Sequence, residues 1–561
     1  MESWWGRFDS AIDWNPQDMG SEASKTTSEY EQQSAPLRRQ RMASRWRSVG
    51  RPGGEAATYT ISTTLFLRFL GVVYLIAFTS LWVQIDGLVG SGGIIPAAEY
   101  LSAVEQHCAA ENPPQSPLWR VPTWAWVSSS DFFLHLLCGL GVALSVLLIL
   151  GIGPLPVLIL LWTCYLSLYQ VGQVFLSFQW DILLLETGFL ALFLAPRCLR
   201  SRCFRDPEPP RLAIWLVWWL LFRLMFESGV VKLTWNNGSM PLEFNTWEAL
   251  TAMDFHYWTQ PLPLHTSWYA SHLPAWIQKI SVVVVLFIEL AIPFFIFGPP
   301  LLRRIACGAF VFLMAVISTT GNYNFFNPLT ILLALTLLDD AVWPKFMKNR
   351  IVPTTEAGVL SWKSWKTYLL WPFFAYVVFL GSLQVYTALF PTARWSRSLA
   401  AKIDVSQFHL VNSYGLFRRM TETRPEIIIE GSNDGKNWRA YQFIWKPGDL
   451  SRAPRVNAPH QPRLDWQMWF EALRFEQIFE ATGTVDPRYM SPWFRAFLTR
   501  LIEQRPEVVK LIKTDPFPKH APKIFRLALY QYQFTDSQER GETGNWWQRE
   551  LQWLSPAYTA P

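Results

Sequence analysis

The sequence predicts a multi-pass α-helical membrane protein with a C-terminal extracytoplasmic α+β domain, β-sandwich-like in part. Three observations predict it. About nine apolar stretches of near-membrane length fall between residues 62 and 390. Basic residues crowd into alternate connections between them. Beyond residue 391 the apolar runs shorten, and strand-like alternation begins. Composition agrees: half of the 561 residues are apolar and only 16% are charged, against about 25% in an ordinary soluble domain.

Residues 1–61 are polar and basic and read as a disordered cytosolic tail, without the apolar core of a signal peptide. Residues 62–391 form the membrane domain. A hydrocarbon layer of about 30 Å asks for roughly 20 apolar residues of helix. Stretches that fit lie at 62–84, 131–152, 155–175, 211–231, 276–298, 301–319 and 367–390. Two more are shorter or interrupted: 177–195, which carries Asp181 and Glu186, and 325–341. If some dip in pairs as re-entrant segments, the parity is unchanged. "GIGPLP" (151–156) and "GPPLLRR" (298–304) read as tight helical hairpins, because proline cannot continue a helix.

Charge sets the sidedness. Arg38 to Arg51, "RCLRSRCFR" (197–205), Arg303, Arg304, and Lys345 to Lys366 fall in segments that share one side. The opposite loops hold little beyond Arg120 and Lys232. Basic residues stay inside, so the N-terminus is expected inside and residues 392–561 outside.

That outer part, with no Cys, is long enough for its own core. "PEIIIEGSNDGKNWRAYQFIWKPGDL" (425–450) reads as a β-hairpin about an Asn-Asp-Gly turn. "KIFRLALYQYQF" (523–534) alternates like a strand. In "PHQPRLDWQMWF" (459–470) and beyond, Trp466, Trp469, Phe470 and Leu473 share one apolar helical face, with Asp465 as the expected N-cap. Two readings stay open for that face: a domain core, or an aromatic binding hot spot. The first buries both tryptophans and leaves Asn412, Tyr414, His460 and Arg463 as an exposed rim for a client.

Arg68, Asp181, Glu186, Arg223, Glu227, Lys232 and Glu289 lie within or beside apolar segments and form an expected intramembrane polar cluster. Each costs about 2.5–3.5 kcal/mol at the centre of a helix unless paired or hydrated. Arg223 and Glu227 are four apart, so they can pair on one helical face. The cluster reads as glue between helices or as a hydrated cavity with Lys232 as a base.

Recognisable catalytic motifs are absent: no G-x-S-x-G, Walker A, dinucleotide fingerprint, H-E-x-x-H or C-x-x-C occurs. His256, His265 and His272 share a loop at spacings that match no compact zinc pattern, so no metal or other cofactor is expected. Nothing points to nucleic acid. The six Cys are scattered; Cys198 and Cys203 fall on the inner side and Cys108 on the outer. Asn237-Gly238-Ser239 is a glycosylation sequon.

Five blocks resemble the lipase maturation factor family: "LRFLGVVYLIAFTSLWVQIDGLVGSGGIIPA" (67–97), "SFQWDILLLETGFLALFLAP" (177–196), "LFRLMFESGVVKLTWN" (221–236), "NSYGLFRRMTETRPEIIIEGSNDGKNW" (412–438) and "NAPHQPRLDWQMWF" (457–470). The resemblance implies a multi-pass, non-enzymatic protein of the endoplasmic reticulum membrane, with a lumenal C-terminal part. Its partners would be the bilayer and immature secreted clients, above all lipases. The outer part departs from the family in having no Cys, so a thiol-based role proposed for animal members is not expected of it. In a bacterium the same topology would put that part in the periplasm. "ESGVVKL" (227–233) is also similar to the vitamin K-dependent carboxylase superfamily, which would imply an intramembrane enzyme with Lys232 as base.

Overall fold

The structure, a computed structural model, describes residues 57–201, 203–234, 245–351, 365–403 and 405–559. Most of the basic tail and the sequon lie outside the described residues. Among the described residues nine apolar helices follow in order: α1 (Thr60–Trp82), α2 (Asp131–Leu150), α3 (Pro154–Gly172), α4 (Gln179–Leu194), α5 (Arg211–Thr234), α6 (Ala275–Leu290), α7 (Pro300–Thr320), α8 (Phe326–Leu335) and α9 (Trp365–Leu389). Seven of these segments are long and apolar enough to cross a membrane, α6 with its 3-10 continuation to Phe297; α4 and α8 are the other two. With 16 and 10 residues, they rise roughly 24 and 15 Å at about 1.5 Å per residue, less than the hydrocarbon thickness.

The two predicted helical hairpins form. Gly151 (φ 73°) ends α2 in the left-handed region, Gly153 (φ 52°) follows, and Pro154 opens α3. A side chain at Gly151 would also collide with the Arg68 guanidinium. The backbone of this turn pairs with the 199–201 segment: Gly153 N donates to Leu199 O at 2.8 Å and Ser201 N to Gly151 O at 2.8 Å.

Helix ends sort into two groups. At one end Asp340 accepts the backbone N–H groups of Thr60 and Ile61 at 3.1 and 2.9 Å, and Arg304 meets Asp339 at 3.2 Å. Arg68 donates to Ile149 O at this end. The opposite ends of α1, α4 and α5, with the turn before α8, receive the C-terminal part. This is the grouping that the arginine pattern requires.

The C-terminal part carries two small antiparallel sheets and two principal helices, α10 (Arg463–Thr482) and α11 (Pro492–Ile502). The larger sheet has strand order β2–β1–β5–β6: β2 (Arg439–Ala440), β1 (Pro425–Ser432), β5 (Ile524–Phe534) and β6 (Trp547–Leu554). β7 (Tyr558–Thr559) also pairs with β5. The smaller sheet joins β3 (Gln442–Phe443) to β4 (Ile512–Thr514).

The expected hairpin is therefore short. Asp434 builds its turn by accepting Lys436 N and Asn437 N at 2.9 and 2.8 Å, and Gly435 supplies φ 71°. The aromatic run then leaves β1 for the second sheet. The alternation expected in β5 also fails at its centre. Leu527, Ala528 and Leu529 are all buried, opposite Ile427, Ile428 and Ile429. Both faces of this strand pair are covered, which favours a continuous apolar run.

Candidate functional site

The polar residues singled out by sequence meet mainly at a seam between the helix ends and the C-terminal part. The 457–463 segment lies against α1, the turn that follows it, and the turn before α8. Gln461 N donates to Ser80 Oγ at 2.8 Å, and Arg463 N to Gln84 Oε1 at 3.1 Å. Gln84 Nε2 returns a bond to Gln461 O at 2.7 Å, and Asn324 Nδ2 donates to Gln461 Oε1 at 2.6 Å. Asn322 accepts from Asn457 N and Ala458 N and donates to Arg455 O at 2.9 Å. An extended, proline-rich segment has no ladder of its own, so its buried backbone groups must find partners elsewhere.

Arg463 anchors the segment. Its guanidinium grips Asp181 at the start of α4 through two bonds of 2.9 and 2.8 Å, and donates to Phe175 O at 2.7 Å. Tyr165 donates to the same carboxylate at 2.5 Å. Both members of the pair are fully buried. Such a fork fits carboxylate geometry and leaves few lone pairs unsatisfied.

A second clamp holds residues 412–416. Glu186 of α4 pairs with Arg223 of α5. It also accepts Asn412 N, Asn412 Nδ2 and Tyr414 Oη, each at 2.9 Å. Arg223 donates to Asn412 O at 2.7 Å, and Glu227 accepts Tyr414 N at 2.7 Å. The expected Arg223–Glu227 pair is replaced by this arrangement, because a carboxylate on the neighbouring helix and a loop carbonyl satisfy the guanidinium. Lys232 is the third clamp: its Nζ meets Glu289 at 2.6 Å, Ser228 O at 3.0 Å and Leu416 O at 3.3 Å. Three acceptors lie within reach of the three ammonium donors, so all of the hydrogen-bonding capacity of Lys232 is taken up within the described residues.

The seam extends beyond these positions. Arg424, fully buried, donates to Trp258 O at 2.7 Å and Pro261 O at 2.9 Å, and lies 3.0 Å from Glu426. Burial pulls its pKa down, and Glu426 pulls it back up. Indole N–H groups add bonds: Trp469 to Thr259 O, Trp268 to Thr535 O and Trp247 to Phe417 O, each at 2.9 Å. Ser80, Gln84, Asn322 and Asn324 were not among the expected site residues. Their signal was present as amides in "GNYNFFN" (321–327) and as two polar residues at the end of α1.

Several expectations are overturned here. Asn412, Tyr414 and Arg463 are buried and His460 is partly buried, so these four do not form an exposed rim. They fill the seam because their polar groups have partners on the membrane helices. Asp465 is not the N-cap of α10; Pro462 holds that position. Asp465 is buried and accepts Trp445 N and Lys446 N, both at 2.9 Å. Burial raises its pKa to about 6 against those bonds. His460 Nδ1 lies 3.0 Å from Ser80 Oγ, and burial with the nearby Arg463 charge lowers its pKa to about 4. Arg68 stands apart from the other six charges, at the opposite end of the bundle.

The predicted apolar face of α10 divides. Trp466 is buried against Trp180 and Phe178, Trp469 and Leu473 are partly covered, and Phe470 is 45% exposed. Phe470 and Leu473 line a groove of about 670 Å³ with Trp493, Pro492, Val174 and Ile95. The last two come from connections between membrane helices, so both parts of the chain build its walls. Gln173, beside Val174, holds a non-glycine backbone at φ 48°.

The two regions that meet at the seam match two family profiles. Residues 61–345 match the lipase maturation factor transmembrane domain, and residues 410–555 match its C-terminal domain. The chain belongs to the lipase maturation factor family. It is 37% identical to lipase maturation factor 2 of Gallus gallus, covering 87% of this chain and 79% of that protein. Against lipase maturation factor 2 of Homo sapiens the figures are 36%, 87% and 81%. Against human lipase maturation factor 1 they are 31%, 89% and 88%. No solved structure matches the chain significantly. Family membership and the apolar helices make this a multi-pass membrane protein, and the names of its relatives support a maturation role.

Proposed function

We propose that this chain is a non-enzymatic assembly factor of the endoplasmic reticulum membrane that engages immature secreted clients, chiefly lipases. Its N-terminus is cytosolic and residues 392–561 are lumenal. The observation that carries the reading is the groove of about 670 Å³ beside Phe470, where apolar side chains stand among Gln173, Gln467, Glu471, Arg474, Gln477 and Ser491, built jointly by helix connections and the C-terminal domain. The seam supports it by fixing the groove's two walls to each other. The relatives' names favour lipases as clients, and the sidedness follows from the arginine-rich inner connections.

The test is photo-crosslinking from position 470 in cells that secrete a lipase, with position 463 as the buried control. Adducts with the folding-stage lipase are expected from 470 and not from 463. Phe470→Asp should leave the thermal midpoint nearly unchanged, since substitutions on exposed positions usually fall within about 0.5 kcal/mol. It should lower the yield of active secreted lipase. Full yield from that variant, with no adduct from 470, would remove the groove from the function.

A further inference from the structure

A second cavity, of about 900 Å³, opens at the other end of the bundle. Arg68, Arg200, Cys198, Cys203, Ser201, Asp206, Leu150 and Leu199 line it. Arg68 is partly buried at its edge. It donates to Ile149 O, capping the end of α2, and its Nη2 lies 3.4 Å from Ser201 O and 3.7 Å from Cys203 Sγ. Asp206 is the carboxylate in the lining, and it is engaged by the Ser201 hydroxyl. The two arginines leave the lining positive. Its rim is apolar and open: Leu199 is 88% exposed, Leu150 56% and Ile152 41%. Arg197 and Arg205 flank it in sequence.

A cationic recess with a greasy lip, at the boundary where a transmembrane helix ends, has the chemistry of a phospholipid head-group site. Helix capping accounts for one donor of Arg68. It does not account for a second arginine on an open cavity, or for leucines exposed at its edge. We propose that this cavity holds the phosphate-bearing head group of an anionic phospholipid. Arg68 and Arg200 face the phosphate, and Leu150 and Leu199 lie along the upper acyl chain.

Cys203 is exposed in the lining and reports occupancy. The full chain, with Cys198→Ser, is placed in nanodiscs of phosphatidylcholine alone or with a minor fraction of phosphatidylinositol. Maleimide labelling of Cys203 is then timed. Both leaflets are identical, so the outcome does not depend on the sidedness proposed above. Phosphatidylinositol should slow labelling about tenfold, as expected for two arginines near one phosphate. Inorganic phosphate added to neutral discs should not. Arg200→Gln, at an exposed side chain, should lose most of the protection while melting at the wild-type temperature. An unchanged labelling rate in a folded protein, equal protection by inorganic phosphate, or full protection in Arg200→Gln would each overturn the proposal.

Discussion

At the end of the bundle that meets the C-terminal part, Arg463, Arg223 and Lys232 are buried against carboxylates from other segments of the chain. At the opposite end, Arg68 is only partly buried and stands beside an open cavity of about 900 Å³. The same residue type does two jobs. Where two large parts must hold one geometry, each cation is desolvated and paired with a carboxylate, and backbone carbonyls take further donors. At the opposite end of the bundle, the cation caps one helix and leaves room beside itself. The contrast teaches that charges near membrane depth in this chain are sorted by what they must immobilise.

Removing one half of a fully buried, forked pair should give the largest effect. Arg463→Ala leaves Asp181 charged and buried, which costs about 3–5 kcal/mol. The readouts are thermal unfolding in detergent and protease resistance of residues 392–561. Replacing both partners, Arg463→Met with Asp181→Leu, should recover most of that loss. Arg68→Ala, at a site open to solvent, should cost less, about 1–2 kcal/mol. Equal losses at the two arginines would erase the distinction between the ends.

A smaller change sharpens the second clamp. Tyr414→Phe deletes one of the bonds to Glu186 and keeps the ring. Hydrogen bonds to a charged group contribute about 1.5–3 kcal/mol, so the same unfolding assay should register a loss of that order. No measurable loss would mean that the hydroxyl finds an equal partner in water.

Smaller still is the response to pH, because two neighbouring groups oppose each other. His460 has a folded pKa of about 4 against an ordinary 6.5. The unfolded chain binds the extra proton, so this group's stability is present above 6.5 and lost as pH falls toward 4. Asp465 has a folded pKa of about 6 against 3.8. Here the folded chain binds the extra proton, so stability is gained as pH falls from 6 toward 3.8. His460→Gln should become relatively more stable on going from neutral to about pH 5, and Asp465→Asn relatively less. Parallel slopes in the two variants would refute the assignment.

Much of the architecture was legible in the chain. The apolar stretches, the Gly-Pro hairpins, the arginine-rich connections and the existence of strands β1 and β5 follow from local chemistry; the pairing of β1 with β5, about 100 residues apart, does not. The site was legible in its residues but not in its geometry. Asn412, Tyr414 and Arg463 are polar residues in a watery-looking segment, and such residues are usually exposed. Their burial depends on acceptors more than 180 residues away, at Asp181, Glu186 and Glu227. Helical spacing likewise paired Arg223 with Glu227, but a carboxylate on the neighbouring helix was the better partner. The exposure of Phe470 was equally unreadable, because the face of α10 is divided between Trp180 and an open groove.

The central claim is that the C-terminal part is welded to the membrane helices, and four amides report it directly. Asn412 N, Tyr414 N, Gln461 N and Arg463 N donate to Glu186, Glu227, Ser80 and Gln84, all side chains of the membrane part. Hydrogen exchange on the full chain in nanodiscs should find these four protected alongside the interior of α10, opening only with larger unfolding. Exchange as fast as in the exposed turn at Lys436 and Asn437, with α10 still protected, would contradict the weld.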